Sequence, residues 1–311
     1  MRIASKALPD MVLNQLNKLA HKQSKLQNQI SSGQHISKAS DSPNAFVKLL
    51  NFQSEDRSIE QFQKNIDFYK EVSSNTYSIV DSMKSVINRA QEIATRSDSL
   101  KSKDELAIFA VEVNELLNQA VNLANSESRD KFLFAGTAVG EKPFEATKDA
   151  DNKITAVNYQ GNENAVELVI SDNLRTSPYL VGENDSGSGA FGLFKDSRTG
   201  TNVFQSLINL RDRLESGDSG AVINDSIAEL EKEEDNIIFH IGSIGASQSS
   251  MEEMSAVLAE KSNSLNKLSS READVDITET VMLLNQTQLS YQAALQSAGK
   301  VLNTSLLDYI R

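Results

Sequence analysis

Apolar residues recur so regularly at both ends of this 311-residue chain that any fold must accommodate two long amphipathic helices. Near the N-terminus, Val12, Leu16, Leu19, Gln23, Leu26 and Ile30 follow one another in alternating steps of four and three. That is the spacing of a heptad seam. Toward the C-terminus, Ile277, Val281, Leu284, Gln288, Tyr291, Leu295, Ala298 and Leu302 keep the same beat without a slip, and Leu306 and Leu307 follow. Each seam carries a single Gln at an otherwise apolar position. A lone polar residue costs stability but can fix register: either the two seams pair with Gln23 near Gln288, or the two Gln are solvent-tolerant gaps in independent seams.

Between the ends, the breakers are sparse: 4 Pro and 14 Gly in the whole chain, which leaves long stretches free to be helical. The first helix is expected to stop at Ser31-Ser32-Gly33, and residues 34–41 read as a loop. Ser42-Pro43 then reads as an N-cap followed by proline at the first helical position. From Asn44 to about Arg96 the apolar steps include Ile59, Phe62, Ile66, Tyr69, Val72, Ile79, Met83, Val86, Ala90 and Ile93. A helix of that length spans on the order of 75 Å. A shorter helix is expected from Lys103 to about Ser128. After Phe132-Leu133-Phe134-Ala135-Gly136-Thr137 the helical period disappears until about Thr201. Residues 154–159 and 165–170 read as strands around Gln160-Gly161-Asn162, and 182–189 reads as a flexible loop. Helices resume at Val203 to Leu214, break at Ser216-Gly217-Asp218, and run on to about Ser269 with Ile237, Ile241, Ile244, Met251, Leu258 and Leu265 at near-heptad spacing.

The expected fold is therefore mainly α: a long antiparallel helical bundle or coiled coil from both chain ends, with a small β-rich inserted domain. The expected domains are residues 1–41 plus 272–311 as a terminal coiled-coil assembly region, 42–136 plus 201–271 as a helical rod, and 137–200 as the insert.

Composition narrows the functions. The formal net charge is −12, which disfavours covering phosphates, so neither nucleic acid nor an anionic membrane is an expected partner. No Cys is present, which removes disulfides and thiolate chemistry. No run is apolar and long enough to span a membrane. Met1-Arg2-Ile3-Ala4-Ser5-Lys6 lacks the apolar stretch of a cleaved leader, so any export is expected to keep the N-terminus. The three His, His21, His35 and His240, form no metal-ligand spacing. No Ser stands in a nucleophile elbow, and no glycine-rich phosphate cradle follows a strand. The acidic runs at Glu231-Glu233-Glu234-Asp235 and Glu252-Glu253 read as solvated helix faces. No catalytic residue, cofactor or metal is expected, and the chain reads as a non-enzyme.

What remains is association. A helix of about 30 residues with a narrow apolar stripe is marginal in water without a partner. The candidate assembly interface consists of Val12, Leu16, Leu19, Leu26 and Ile30 on the first helix. On the last it consists of Ile277, Val281, Leu284, Tyr291, Leu295, Leu302, Leu306 and Leu307. Periodicity leaves open whether these stripes close within one molecule or between several.

Several motifs resemble one family. Ile30-Ser31-Ser32-Gly33, Ser40-Asp41-Ser42-Pro43, Ala124-Asn125, Phe134-Ala135-Gly136-Thr137, Pro143-Phe144, Tyr159-Gln160-Gly161-Asn162 and Gly200-Thr201-Asn202-Val203-Phe204 are among them. So are Asp276-Ile277, Ala293-Ala294-Leu295 and Leu306-Leu307-Asp308-Tyr309. Together they resemble the flagellin-like axial proteins of the bacterial flagellum, and within them the hook-associated protein 3 family of hook–filament junction proteins. Ser42 departs from the acidic residue usual before that proline. The resemblance implies a secreted flagellar subunit, exported by the flagellar type III apparatus after a transient cytoplasmic stage. Its implied partners are like subunits in a ring, the first hook-associated protein, flagellin, and a cytoplasmic export chaperone at the C-terminal helix. A short flagellin, or a secreted coiled-coil effector or needle-tip protein, are the alternatives.

Overall fold

The computed structural model describes residues 4–98 and 100–310, with side chains described for 10–98 and 100–299. The protein is mainly α, with long helices toward both ends and short strands in the middle. It divides into two compact units, residues 1–58 with 259–311, and residues 59–258.

The first unit contains α1 (Ala4–Ser32), the start of α2 (Pro43–Arg96), the end of α6 (Ile227–Ala273) and α7 (Ile277–Ile310). α1 stops where expected: Gly33 takes a φ of +71°, a left-handed conformation that a side chain would strain. Pro43 opens α2 as its first residue, where its missing N–H leaves no hydrogen bond unmade. Ile36, Leu49 and Ala273 form a small core with Ala45 and Phe46 against it. Lys48 pairs with Glu272 at 2.9 Å, and the Ser262 hydroxyl donates to Asp56 at 2.7 Å.

The second unit holds the main core. Every α2 residue in the predicted stripe from Ile59 to Ile93 is buried or half-buried. On α6, Ile237, Ile244, Met251 and Leu258 are all buried at seven-residue intervals. α3 (Lys103–Ala124) starts with a capping box between Ser102 and Glu105. It ends earlier than expected, because Glu127–Ser128 pairs with Lys131–Phe132 as the hairpin β1–β2.

The remaining strands are β3 (Phe144–Lys148), β4 (Ile154–Tyr159), β5 (Leu168–Ser171), β6 (Leu174–Thr176), β7 (Val181–Asn184), β8 (Gly192–Asp196) and β9 (Thr201–Asn202). β3–β4 and β5–β6 are antiparallel hairpins. β7, β8 and β9 form one sheet in which β7 and β8 are parallel. The expectation of a flexible loop over 182–189 is thus corrected. Residues 181–184 are a fully buried strand, and the short connection to β8 is tied down. Asn184 Nδ2 donates to Ser188 O at 2.6 Å and Ala190 O at 2.5 Å, while its Oδ1 accepts from Gly187 N at 2.9 Å. Arg198 donates to Gly189 O, Ala190 O and the Asp196 carboxylate. Burial opposes the charge on Asp196, but the Arg198 guanidinium and two backbone N–H groups outweigh it and hold the pKa down to about 2.

The motifs between Ala124 and Phe204 that carried the resemblance converge on one point. Phe134, Phe144, Phe194 and Phe204 pack ring against ring with centroid separations of 5.1 to 5.6 Å. Asn125 satisfies both backbone groups of Phe144: its Nδ2 donates to the carbonyl at 3.0 Å, and its Oδ1 accepts from the N–H at 2.9 Å. Gly136 has a φ of +66°, and a Cβ there would lie 2.1 Å from Asn162 O. Asn162 Oδ1 accepts from Thr137 N at 3.0 Å. The buried Tyr159 hydroxyl lies 2.9 Å from Phe134 O, and burial pushes its pKa up to about 12. Replacing Phe144 by Ala is expected to cost about 3–5 kcal/mol, read as a lower urea midpoint with an unchanged slope.

α4 (Val203–Ser216) follows β9, capped by Asn202 and ended by Gly217. α5 (Ser219–Ala221) and a π-turn at Val222–Ser226 lead into α6. Here the reading of the acidic run as a solvated face is corrected at Glu233, which is only 2% exposed. Its Oε1 accepts from Asn202 N at 2.7 Å and from the Ser206 hydroxyl at 3.0 Å. Its Oε2 is the only buried side-chain oxygen without a partner among the described residues. Burial pushes the carboxyl up from 4.5 to about 7. The folded state therefore holds this proton more tightly than the unfolded chain, so stability falls as pH rises from about 4.5 to about 7. Glu183, also raised by burial, acts in the same direction, whereas buried His240, lowered by burial, opposes it. Glu233→Gln is expected to remove up to ~3 kcal/mol of that fall, seen as a flatter melting temperature against pH than wild type between pH 5 and 7.

Candidate assembly interface

In the first unit α1 packs along α7, and the link before α7 sets where they meet. Gly33 O accepts from Val275 N at 3.0 Å, and His35 N donates to Ala273 O at 2.7 Å. The His35 Nδ1 also lies 3.0 Å from Ala273 O and 3.2 Å from Asp274 O, two acceptors that place the ring proton on Nδ1. Gln34 and Asp274 form an antiparallel bridge. Asp276 caps α7 through Glu279 N at 3.1 Å. Across the loop, Asp41 accepts from Lys25 Nζ at 2.9 Å and from the N–H groups of Ser37 and Lys38. The Lys25 hydrogen bond, ahead of the backbone ones, lowers its pKa.

On α1 the expected seam is the packed one. Leu26 is buried, and Val12, Leu16, Leu19, Gln23 and Ile30 are half-buried, with exposed neighbours on most other faces. On α7 the structure differs. The packed positions are Thr280, Leu284, Thr287, Tyr291, Ala294 and Ala298, again in steps of four and three. Of the predicted seam, Leu284 and Tyr291 are half-buried, but Ile277 is 57%, Val281 38% and Leu295 46% exposed. The side chains of Leu302, Leu306 and Leu307 lie outside the described residues. Gln288, also half-buried, stands beside the packed row.

Two threonines explain the shift. The Thr280 hydroxyl donates to Asp276 O and the Thr287 hydroxyl to Leu283 O, both at 2.7 Å. With the hydroxyl satisfied inside its own helix, each threonine turns a methyl group to its neighbour. A hydropathy pattern counts threonine as polar and so misses them. α7 thus carries a packed row of Thr280, Leu284, Thr287, Tyr291, Ala294 and Ala298, with Ile277, Val281 and Leu295 left more exposed beside it. Met282 at 62% and Leu289 at 68% exposed add apolar surface on a further face.

The N-terminal helical region of bacterial flagellins matches this chain over residues 5–138. The match takes in α1, α2, α3 and the Phe134–Thr137 motif. A search of curated protein sequences finds no significant match. Among solved structures, the chain resembles a protein named as a flagellar hook-associated protein of Vibrio parahaemolyticus. The identity is 19% and the TM-score 0.63, over 75% of this chain and 100% of that one. It also resembles Bacillus cereus FlgL at 22% identity and TM-score 0.55, over 70% of this chain and 97% of that one. Flagellar hook-associated protein 3 of Legionella pneumophila matches at 12% identity and TM-score 0.56, over 71% and 96%. At these identities the likeness is one of fold. The resemblance drawn from the motifs, to flagellin-like axial proteins and their hook-associated members, agrees with all of these.

The buried row makes a direct prediction. Leu26→Asp places a charge in the α1–α7 contact and is expected to cost about 3 kcal/mol or more. Amide exchange in α1 and α7 should accelerate, while strands β7–β9 stay protected.

Proposed function

We propose that this chain is a non-enzymatic structural subunit of the bacterial flagellum, placed at the junction between the hook-associated ring and the flagellin filament. The observation that carries this reading is the second apolar row on α7, Ile277, Val281 and Leu295, exposed on a chain with a flagellin-type N-terminal region and a hook-associated fold. Covering this row with another surface would take further apolar area out of water. In this reading neighbouring copies, the first hook-associated protein and flagellin cover it in the assembled flagellum, and an export chaperone covers the C-terminal helix in the cytoplasm. Export proceeds through the flagellar type III apparatus. Residues 1–41 with 272–311 form the assembly region, 42–136 with 201–271 the helical rod, and 137–200 its β-rich insert.

Among the described residues no group of three or more His, Asp or Glu could hold a metal ion. No helix there is long and apolar enough to cross a membrane. The flagellin match itself favours a second reading, a short filament subunit. A strain lacking the gene separates the two. A junction subunit predicts filament protein released unassembled into the medium, whereas a filament subunit predicts loss of the filament protein itself.

Complementing that strain with Leu295→Asp or Ile277→Asp tests the carrying observation. Both positions are exposed, so the purified variants should keep wild-type helicity. Assembled filaments should fall by about tenfold or more, as for a central interface residue. Wild-type assembly by both variants would refute the role given to this row.

A further inference from the structure

We propose that the second unit carries a binding site for a neutral sugar, in the cleft between α6 and the β8–β9 segment. The cleft has a volume of about 430 Å³, within the ~300–1,000 Å³ typical of small-molecule sites. One wall is aromatic. Phe191 and Phe239 stand with ring centroids 5.1 Å apart at 66°, yet remain 39% and 51% exposed. Two phenyl rings held together and left this exposed present apolar surface that an occupant would cover.

The wall is also rigid. The Arg198 guanidinium lies 3.8 Å from the Phe191 ring centre, and Asp196 and the carbonyls of Gly189 and Ala190 hold it there. Phe239 is braced edge-on by His240 at 5.5 Å, and His240 Nε2 in turn lies 3.2 Å from Gly192 O. Asn236, another lining residue, is fixed by donating to Gly192 O and Leu193 O. A preformed wall loses little entropy when it binds.

The rest of the lining selects the ligand. Thr199 and Thr201, their hydroxyls 2.7 Å apart, face Lys232 and Asp235 of α6 across the cleft. The ammonium and carboxylate sum to zero formal charge, so the lining carries no net charge to select an anion or a cation. A wholly apolar ligand would strip water from both charged groups and both hydroxyls without replacing their hydrogen bonds. A pyranose ring meets both demands: its C–H face lies on phenyl rings, and its hydroxyls both donate and accept. The same chemistry would serve a free sugar or the end of a surface glycan.

Saturation-transfer NMR on the purified full chain tests this, with D-glucose, D-galactose and N-acetyl-D-glucosamine each at ~10 mM, a level suited to weak sites. At least one sugar should receive saturation, strongest at its ring C–H protons. Phe239→Ala and Asp235→Ala, both at exposed positions, should each weaken binding by about tenfold or more, and Phe239→Tyr should retain it. The variants' melting curves show whether a loss is one of fold, and Asp235→Ala decides if Phe239→Ala melts early. The proposal is overturned if none of the three sugars receives saturation, or if transfer survives both alanine variants. It is also overturned if sedimentation shows wild-type chains self-associating through this cleft, with Phe239→Ala monomeric and no sugar bound. Binding of a glycan-array oligosaccharide beside the monosaccharide, lost in both alanine variants, marks the glycan-end form.

Discussion

Backbone pairing between residues 33–35 and 273–275 decides how the two ends of this chain meet. A heptad seam repeats every seven residues, so by itself it tolerates sliding by whole heptads. The bonds from Val275 N to Gly33 O and from His35 N to Ala273 O remove that freedom. They hold the end of α1 beside the start of α7, and only then is the face that α7 turns to α1 determined. The ion pairs around this point, Lys25–Asp41 and Lys48–Glu272, join side chains that are partly solvated. Each is worth at most about 1 kcal/mol and adds little. Gly33 is the one residue whose left-handed turn lets the carbonyl reach Val275, so the register rests on it.

The fold was largely legible wherever side-chain burial follows hydropathy with a helical period. The α2 stripe from Ile59 to Ile93 and the α6 beat from Ile237 to Leu265 are buried as the spacing predicts. The failures share one cause: polar or flexible residues whose hydrogen bonds are met internally. Gly182-Glu183-Asn184 reads as the start of a flexible loop, yet the Asn184 side chain satisfies the following turn and the segment is a buried strand. Glu233 reads as part of a charged face, yet Asn202 N and the Ser206 hydroxyl draw one of its oxygens inside. Thr280 and Thr287 have no place in the expected seam, yet they are buried in the packed row. In each case the deciding partner lies in backbone geometry, which spacing does not encode. The small insert was legible as β-rich, but its parallel pair β7–β8 was not, since parallel strands normally need a long crossover.

The two rows on α7 differ in what they can supply. Leu284 and Tyr291, set among Thr280, Thr287, Ala294 and Ala298, give the packed row its apolar bulk, and that row is covered within the chain. Ile277, Val281 and Leu295 stand beside it at 57%, 38% and 46% exposed, so part of their apolar surface is still in water. Burial already made within the chain cannot be gained again, so what α7 has left to offer a second surface is this exposed apolar area.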